Sequence, residues 1–467
     1  MNRFFGTCIH TRKKTRALTL AFFFLCTTPI IGQTQVRQKA PQSIELRRVY
    51  GAIEGSYGVL GEDQFAMAHL KLGLFWETPL PGTDAPGIIR LSAHAPLRFR
   101  TVDNAPMQSL GLRDEDWDTG SDLLRILRHA SVMATDRSLM LSVGELANIQ
   151  LGHGTIIWGY HNNISWDRYK LGAHFQLNRA HWGVALMTDE VIDPNLVALR
   201  VHVSPSIDAL TIGSSFVTDL AAPTVLRLDD APDVALARDE AFNPIVDVSR
   251  RAVWWGLDAQ WDFLTDEWMS LFSYLDINWQ TTVGVGVHAG LDFGLTLGDV
   301  RLSQRVELNL SQGGYMPRYV GPLYEVDKYW FPRWNQSLAL PKLTFANQLN
   351  QSFALGWMTH TALAWSVLRA EFFYGQRGSD TQTALMMAQL SSSAANVLHF
   401  RVAALRHGAD EIFTRRDALV FSEATAELFS FLYLVARYDL MWRLGEGGTY
   451  DPTDAAFVGL GARVVFR

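Results

Sequence analysis

The chain has 467 residues, with 41 Lys and Arg against 47 Asp and Glu, a net charge of −6. An acidic balance of this kind excludes nucleic acid as an expected partner. Its two cysteines, Cys8 and Cys26, both lie in the first 32 residues, so the rest of the chain has no disulfide framework, thiolate metal site or cysteine nucleophile.

Residues 1–32 read as a secretory signal peptide. A basic segment (Arg3, Arg12, Lys13, Lys14, Arg16) precedes an apolar core from Ala17 to Cys26, and cleavage is expected near Gly32. Phe24 and Leu25 before Cys26 do not fit a lipoprotein signal. Removal of the five leader bases leaves 36 basic against 47 acidic residues. Residues 33–62 are polar and mixed. They fit a periplasmic tail, a first strand over 43–52, or a small plug. The third segment, 63–467, carries the pattern that decides the fold class.

From about Ala68 the chain alternates. Leu70, Leu72, Leu74 and Trp76 interleave with Lys71, Gly73, Phe75 and Glu77. Ile89, Leu91, Ala93, Ala95, Leu97 and Phe99 interleave with Arg90, Ser92, His94, Pro96, Arg98 and Arg100. Similar segments follow at 138–145, 170–177, 181–189, 195–203, 209–218, 252–264 and 269–280. The stretch 123–132 fits a strand or a helix. The pattern is clearest at 285–310. There Val285, Val287, Ala289, Leu291, Phe293, Leu295 and Leu297 alternate with Gly286, His288, Gly290, Asp292, Gly294 and Thr296. Gly298-Asp299 reverses the chain, and Val300, Leu302, Val306, Leu308 and Leu310 alternate with Arg301, Ser303, Arg305, Glu307 and Asn309. Further segments lie at 352–363, 366–375, 383–390, 397–405, 418–428, 431–443 and 456–466.

A period of two sends alternate side chains to opposite faces of a strand. One face here suits hydrocarbon and the other suits water. Strands of about 11 residues with an apolar outer face fit a transmembrane antiparallel β-barrel. The count predicts about 18 strands, within a range of 16 to 20. Connection lengths agree. Short turns at Asn178, Pro205, Asp266, Gly298, Trp365 and Phe429 alternate with long connections at 147–169, 219–251, 311–351 and 445–455. Barrels of this class keep short turns on the periplasmic side and long loops outside. Strand aromatics, including Trp254, Trp255, Trp261, Trp279, Trp357, Trp365, Tyr374, Tyr433 and Trp442, are expected at the headgroup levels.

The end of the chain adds a resemblance. Val458, Leu460, Ala462, Val464 and Phe466 alternate with Gly459, Gly461, Arg463 and Val465. This resembles the closing strand of bacterial outer-membrane β-barrels, whose terminal aromatic residue is read by the barrel-insertion machinery; here Phe466 is penultimate. The resemblance covers roughly 68–467 and is architectural. The strand count is similar to that of porins and of polysaccharide-export or capsule-surface barrels. It implies residence in the outer membrane of a Gram-negative bacterium, with lipid and lipopolysaccharide as surroundings.

Strand parity assigns Arg90, His94, Arg98, Arg100, Arg200, Asp258, Asp262, Asp292, Arg305 and Glu307 to a solute-facing lumen. Strands before Ser204 supply mainly positive charge, and 252–280 supply acids, so opposed walls would tune ion selectivity. Arg90, His94, Arg98 and Arg100 form either a lane for anionic solutes or a structural ladder facing acids. The loop 149–163 mixes glycines with His153, Trp158, Tyr160, His161 and Asn162. It fits a constriction folded into the barrel or a sugar-binding surface. The aromatic segment 311–332 is expected to be an external loop packed on itself. The acids Asp229, Asp230, Asp233, Asp239 and Glu240 lack the spacing of an EF-hand.

No G-x-S-x-G, H-E-x-x-H or phosphate-loop motif occurs. No enzymatic activity, cofactor or metal is expected. The function expected from sequence is a charge-lined pore for small polar or anionic solutes, or for polysaccharide export. The alternative is a surface barrel that binds glycan or lipopolysaccharide through external loops over an occluded lumen. A barrel lipid hydrolase is the third reading.

Overall fold

The computed structural model describes residues 47–80, 85–104, 110–113, 116–117, 122–164, 169–205, 209–228, 236–237, 239, 244–331, 340–349, 353–379, 384–394, 397–408, 418–444 and 450–466. The expected signal peptide lies outside the described residues.

Twenty-one strands follow one another among the described residues: β1 (Arg47–Leu60), β2 (Asp63–Pro79), β3 (Pro86–Val102), β4 (Gly111–Leu112), β5 (Leu127–Ala134), β6 (Leu139–Gly144), β7 (Gly172–Asn178), β8 (Trp182–Thr188), β9 (Leu196–Val203), β10 (Leu210–Leu226), β11 (Val246–Thr265), β12 (Met269–Gln280), β13 (Gly284–Leu297), β14 (Val300–Gly313), β15 (Ala354–Trp365), β16 (Leu368–Gln376), β17 (Leu385–Ala394), β18 (Leu398–His407), β19 (Ala418–Phe429), β20 (Leu432–Leu444) and β21 (Tyr450–Phe466). Each pairs antiparallel with its sequence neighbours, except that the two-residue β4 lies on β3 and β5 also pairs with β3. β1 pairs with β21, from Val49↔Phe466 to Leu60↔Ala455, and closes the ring. The result is a 20-stranded closed barrel with one short extra strand.

The count exceeds the expected 18 by the two stretches that sequence left open. Residues 127–134 form β5 after a short 3-10 helix at Asp122–Ile126. Residues 47–60 form β1, so the wall starts ahead of the expected boundary after Glu62. β1 escaped because Gly51 and Gly55 dilute the outward row of Val49, Ile53, Tyr57 and Val59.

Parity holds where it was clearest. Leu291, Val306, Leu308 and Leu310 are exposed on the outside, as are Ile53, Leu72, Leu257, Val458 and Leu460. Asp292, Arg305, Glu307 and Asn309 are buried on the inside. A closed ring leaves no strand edge and satisfies the backbone in hydrocarbon. Among the aromatics, Trp255, Trp261, Trp279, Trp357 and Trp365 point outward. Trp254 and Tyr433 do not; both are buried inside, against Tyr319 and Glu54 respectively.

Short turns (179–181, 266–268, 298–299, 366–367, 430–431) lie at the end of the barrel that holds both chain ends of the wall. The connections 145–171, 227–245 and 314–353 lie at the other. β5 to β9 are only six to eight residues long, whereas β10 and β11 reach 17 and 20.

Candidate functional site: the loop-filled lumen

Two long connections turn inward. Gly154 and Gly159 adopt left-handed φ of 82° and 63°, which lets 149–160 double back with Ile149 bridged to Tyr160. The segment 314–331 contains the single-turn helix α1 (Tyr324–Asp327), and α2 (Lys342–Gln348) follows. The two connections pair in parallel at Ile157 and Val320. Trp158 N–H donates to Val320 O at 3.1 Å, and Arg318 N–H donates to Thr155 O at 2.8 Å. Thus 311–332 is not an external loop packed on itself. After Gly313 it folds onto the inner wall, because its tyrosines find lumen partners. Tyr315 sits over Gly286, Tyr319 packs on Trp254 at 4.8 Å, and Tyr324 donates to Asp219 at 2.5 Å.

The packed loops span the interior. One buried apolar cluster joins Ile156, Ile157, Tyr160, Tyr319 and Val320 to Ala198, Val217, Ala252 and Trp254 of β9 to β11. A second joins Trp158, Leu323 and Val326 to Met358, Phe373, Met387, Leu405, Leu419 and Met441 of β15 to β20.

Polar contacts pin the loops to β9–β14. Arg200 grips Asp258 with both terminal nitrogens. His153 Nδ1 lies 2.7 Å from Asp276 Oδ1, and Thr155 Oγ1 donates to Asp276 Oδ2 at 2.8 Å. Arg305 donates to Asp292 and to His153 O, both at 2.9 Å. Glu307 accepts from Tyr274 and Arg318, each at 2.6 Å, and lies 2.9 Å from His288 Nδ1. Asp262, half-buried, accepts from Gln260 at 2.7 Å. Each buried charge thus has a partner, as burial requires.

The other loop residues serve the loops themselves. Trp158 stacks on Phe373 at 3.7 Å. Tyr160 donates to Glu325 at 2.6 Å, and Glu325 pairs with Lys170 and Lys328. Asn162 accepts from Leu146 N–H at 2.8 Å and donates to Lys170 O at 2.9 Å. His161 sits against Arg401; burial first, then that charge, pushes its imidazole down to about 4.

The basic group on β3 is placed differently. Arg98 donates to Asp116 at 2.5 Å, and Arg100 pairs with Asp63 at 3.1 Å. Arg90 lies over the Phe75 ring at 5.8 Å, and His94 meets His69 edge-on at 4.9 Å. Arg100 is buried, but Arg90, His94 and Arg98 are only partly so. Nearby, Lys71, Arg437 and Arg463 hold Glu54, Glu423 and Glu427 and remain 22%, 17% and 24% exposed in their side chains. The loops therefore cover the β9–β14 wall and the loop-side ends of β15–β20, while charged side chains farther along β1–β3 and β18–β21 stay partly exposed. Sequence parity gathers Arg200, Asp258, Asp262, Asp292, Arg305 and Glu307 with His153 at the covered wall; Arg90, His94, Arg98 and Arg100 stand apart on β3. It puts His288 on the inner row without its partners, and it misses Tyr274 and the loop side of the network. The alternating Gly286 and Gly290 were the available signal, since Tyr315 and Tyr274 fill the space beside them. The acidic loop 229–240 lies almost wholly outside the described residues.

No family model matches the chain, and no curated protein matches it. Solved structures do. The outer membrane protein opdK of Pseudomonas aeruginosa is 9% identical, over 90% of this chain and 99% of that chain, with a TM-score of 0.34. OprD of the same organism is 8% identical over 90% and 94%, with a TM-score of 0.31. OccAB4 of Acinetobacter baumannii is 11% identical over 91% and 99%, with a TM-score of 0.34. The chain's own closed antiparallel ring, joined at β1 and β21 and apolar outside, is the architecture of an outer-membrane β-barrel. Its closed wall and apolar exterior place it in that membrane.

Proposed function

We propose that the barrel is a pore for small polar solutes, with a preference for anions, narrowed by its two inserted loops. The observation that supports this most directly is the asymmetry of the lumen. Arg200, Asp258, Asp276, Asp292, Arg305 and Glu307 of β9–β14 are buried beneath the loops, while Lys71, Arg90, Arg98, Arg401, Arg437 and Arg463 keep exposure on the opposite wall, beside Glu423 and Glu427. A lane beside that wall meets more guanidinium and ammonium groups than carboxylates, and fixed charges at close quarters select ions by sign. Because the loops join β9–β11 to β15–β20, the lane suits small solutes better than a polysaccharide chain.

Single-channel recording of the folded protein in a planar bilayer tests this. The expected result is a steady conductance with anion selectivity, reduced severalfold in Arg90→Glu with Arg401→Glu. Cation selectivity would overturn the anion preference. Silence from folded protein would move the reading to glycan or lipopolysaccharide binding over an occluded lumen.

A further inference from the structure

The loop meets the wall at a cluster that the pore reading leaves unused. His153 comes from the inserted loop, Asp258 from β11 and Asp276 from β12, directly across the ladder from Asp258. All three are buried, and one ligand atom from each lies within 4.8 Å of the others. His153 Nδ1 is 2.7 Å from Asp276 Oδ1 and 4.0 Å from Asp258 Oδ1.

Two further observations fit a cation at these atoms. First, Gln260 Nε2 donates to Asp262 at 2.7 Å, which turns Gln260 Oε1 toward His153 Nε2 at 3.1 Å. That oxygen only accepts, so Nε2 carries the hydrogen. Nδ1 is then the ring atom turned toward the Asp276 and Asp258 carboxylates, and it can serve as a ligand atom beside them. Second, Asp258 and Asp276 bring two negative charges and Arg200 brings one positive charge. Arg305 is matched by Asp292, and Arg318 by Glu307. The buried group is one positive charge short.

We propose that His153, Asp258 and Asp276 form a site for a divalent first-row transition ion. One imidazole and two carboxylates suit Zn²⁺ and its neighbours. The outer shell is in place. Gln260 orients the imidazole, Thr155 donates to Asp276, and Arg200 holds Asp258. The bound ion ties the loop to the wall through residues from three segments. The inference rests on this geometry alone and not on solute passage.

The test is calorimetric titration of Zn²⁺ into the full, folded, chelator-treated protein. The expected result is one tight site of unit stoichiometry. Asp276→Asn should weaken binding at least 100-fold, more than loss of an outer-shell partner. Weak binding by surface acids would survive that substitution. Because a variant can fail to fold, Co²⁺ absorption and X-ray fine structure on the unaltered protein give a second readout, expected to show one imidazole with carboxylate oxygens. Absence of tight binding, binding that Asp276→Asn leaves unchanged, or a cobalt shell without nitrogen would each overturn the site.

Discussion

Adjacent residues on β13 separate the two environments of the wall. Leu291 faces outward and Asp292 inward. Leu291→Arg puts a charge into hydrocarbon and is expected to cost about 2–4 kcal/mol near the midplane. Sequence parity alone makes Asp292→Asn mild, as for a water-facing group. The structure reverses that expectation, because Asp292 is the buried partner of Arg305. Its loss strands a guanidinium under the loop and should cost about 3–5 kcal/mol. Equilibrium unfolding in lipid vesicles measures both, and a near-neutral Asp292→Asn would show that water reaches Arg305. His161 adds a pH dependence. Its folded form binds a proton only near 4, whereas an unfolded histidine does so near 6.5. Its neutral form therefore contributes stability in full above 6.5, and the contribution falls as pH drops toward 4. His161→Gln should flatten the stability profile across that window; an unchanged slope would assign the acid sensitivity to other groups.

Among the elements, the strands were legible and the loops were not. The period of two is legible in the single sequence because lipid imposes it on every crossing. β1 and β5 were ambiguous because their outer rows are diluted by glycine and by an adjoining 3-10 turn. The inward path of 314–331 left no periodic trace. Tyr315 meets Asn278 and His288 through contacts 37 and 27 residues away in sequence, and His153 meets Asp276 across 123. Spacing cannot reveal such pairs. Glycine on an inner face can. A methyl carbon at Gly286 would lie 2.1 Å from the Tyr315 ring. Gly286→Val should therefore expel Tyr315, loosen the loop and cost about 1–3 kcal/mol by overpacking. Combining it with Tyr315→Ala should recover about 1 kcal/mol or more relative to additivity. Strict additivity of the two variants would mean that Tyr315 does not occupy that space.

For the molecule as a whole, the closing seam is decisive. β1 and β21 pair over twelve registers, from Val49 to Leu60. Removing 47–60 exposes the edges of β2 and β21, and an open edge invites pairing between copies. The truncated chain should fail to give a heat-modifiable monomer and should aggregate. A stable monomer would mean that β2 can close on β21 directly.

The short strands β5 to β9 have a consequence for the surrounding lipid. A strand tilted by about 45° advances roughly 2.3 Å of depth per residue. Six to eight residues then cover roughly 14–18 Å of an apolar band about 25 Å tall. On this arc the wall is lower than the hydrocarbon, while β10 and β11 beside it overtop it. Hydrophobic mismatch of this kind is relieved by compressing the bilayer, at fractions of a kcal/mol per Å. The barrel thus presents a lopsided rim that thins the membrane along one side and gathers shorter acyl chains there.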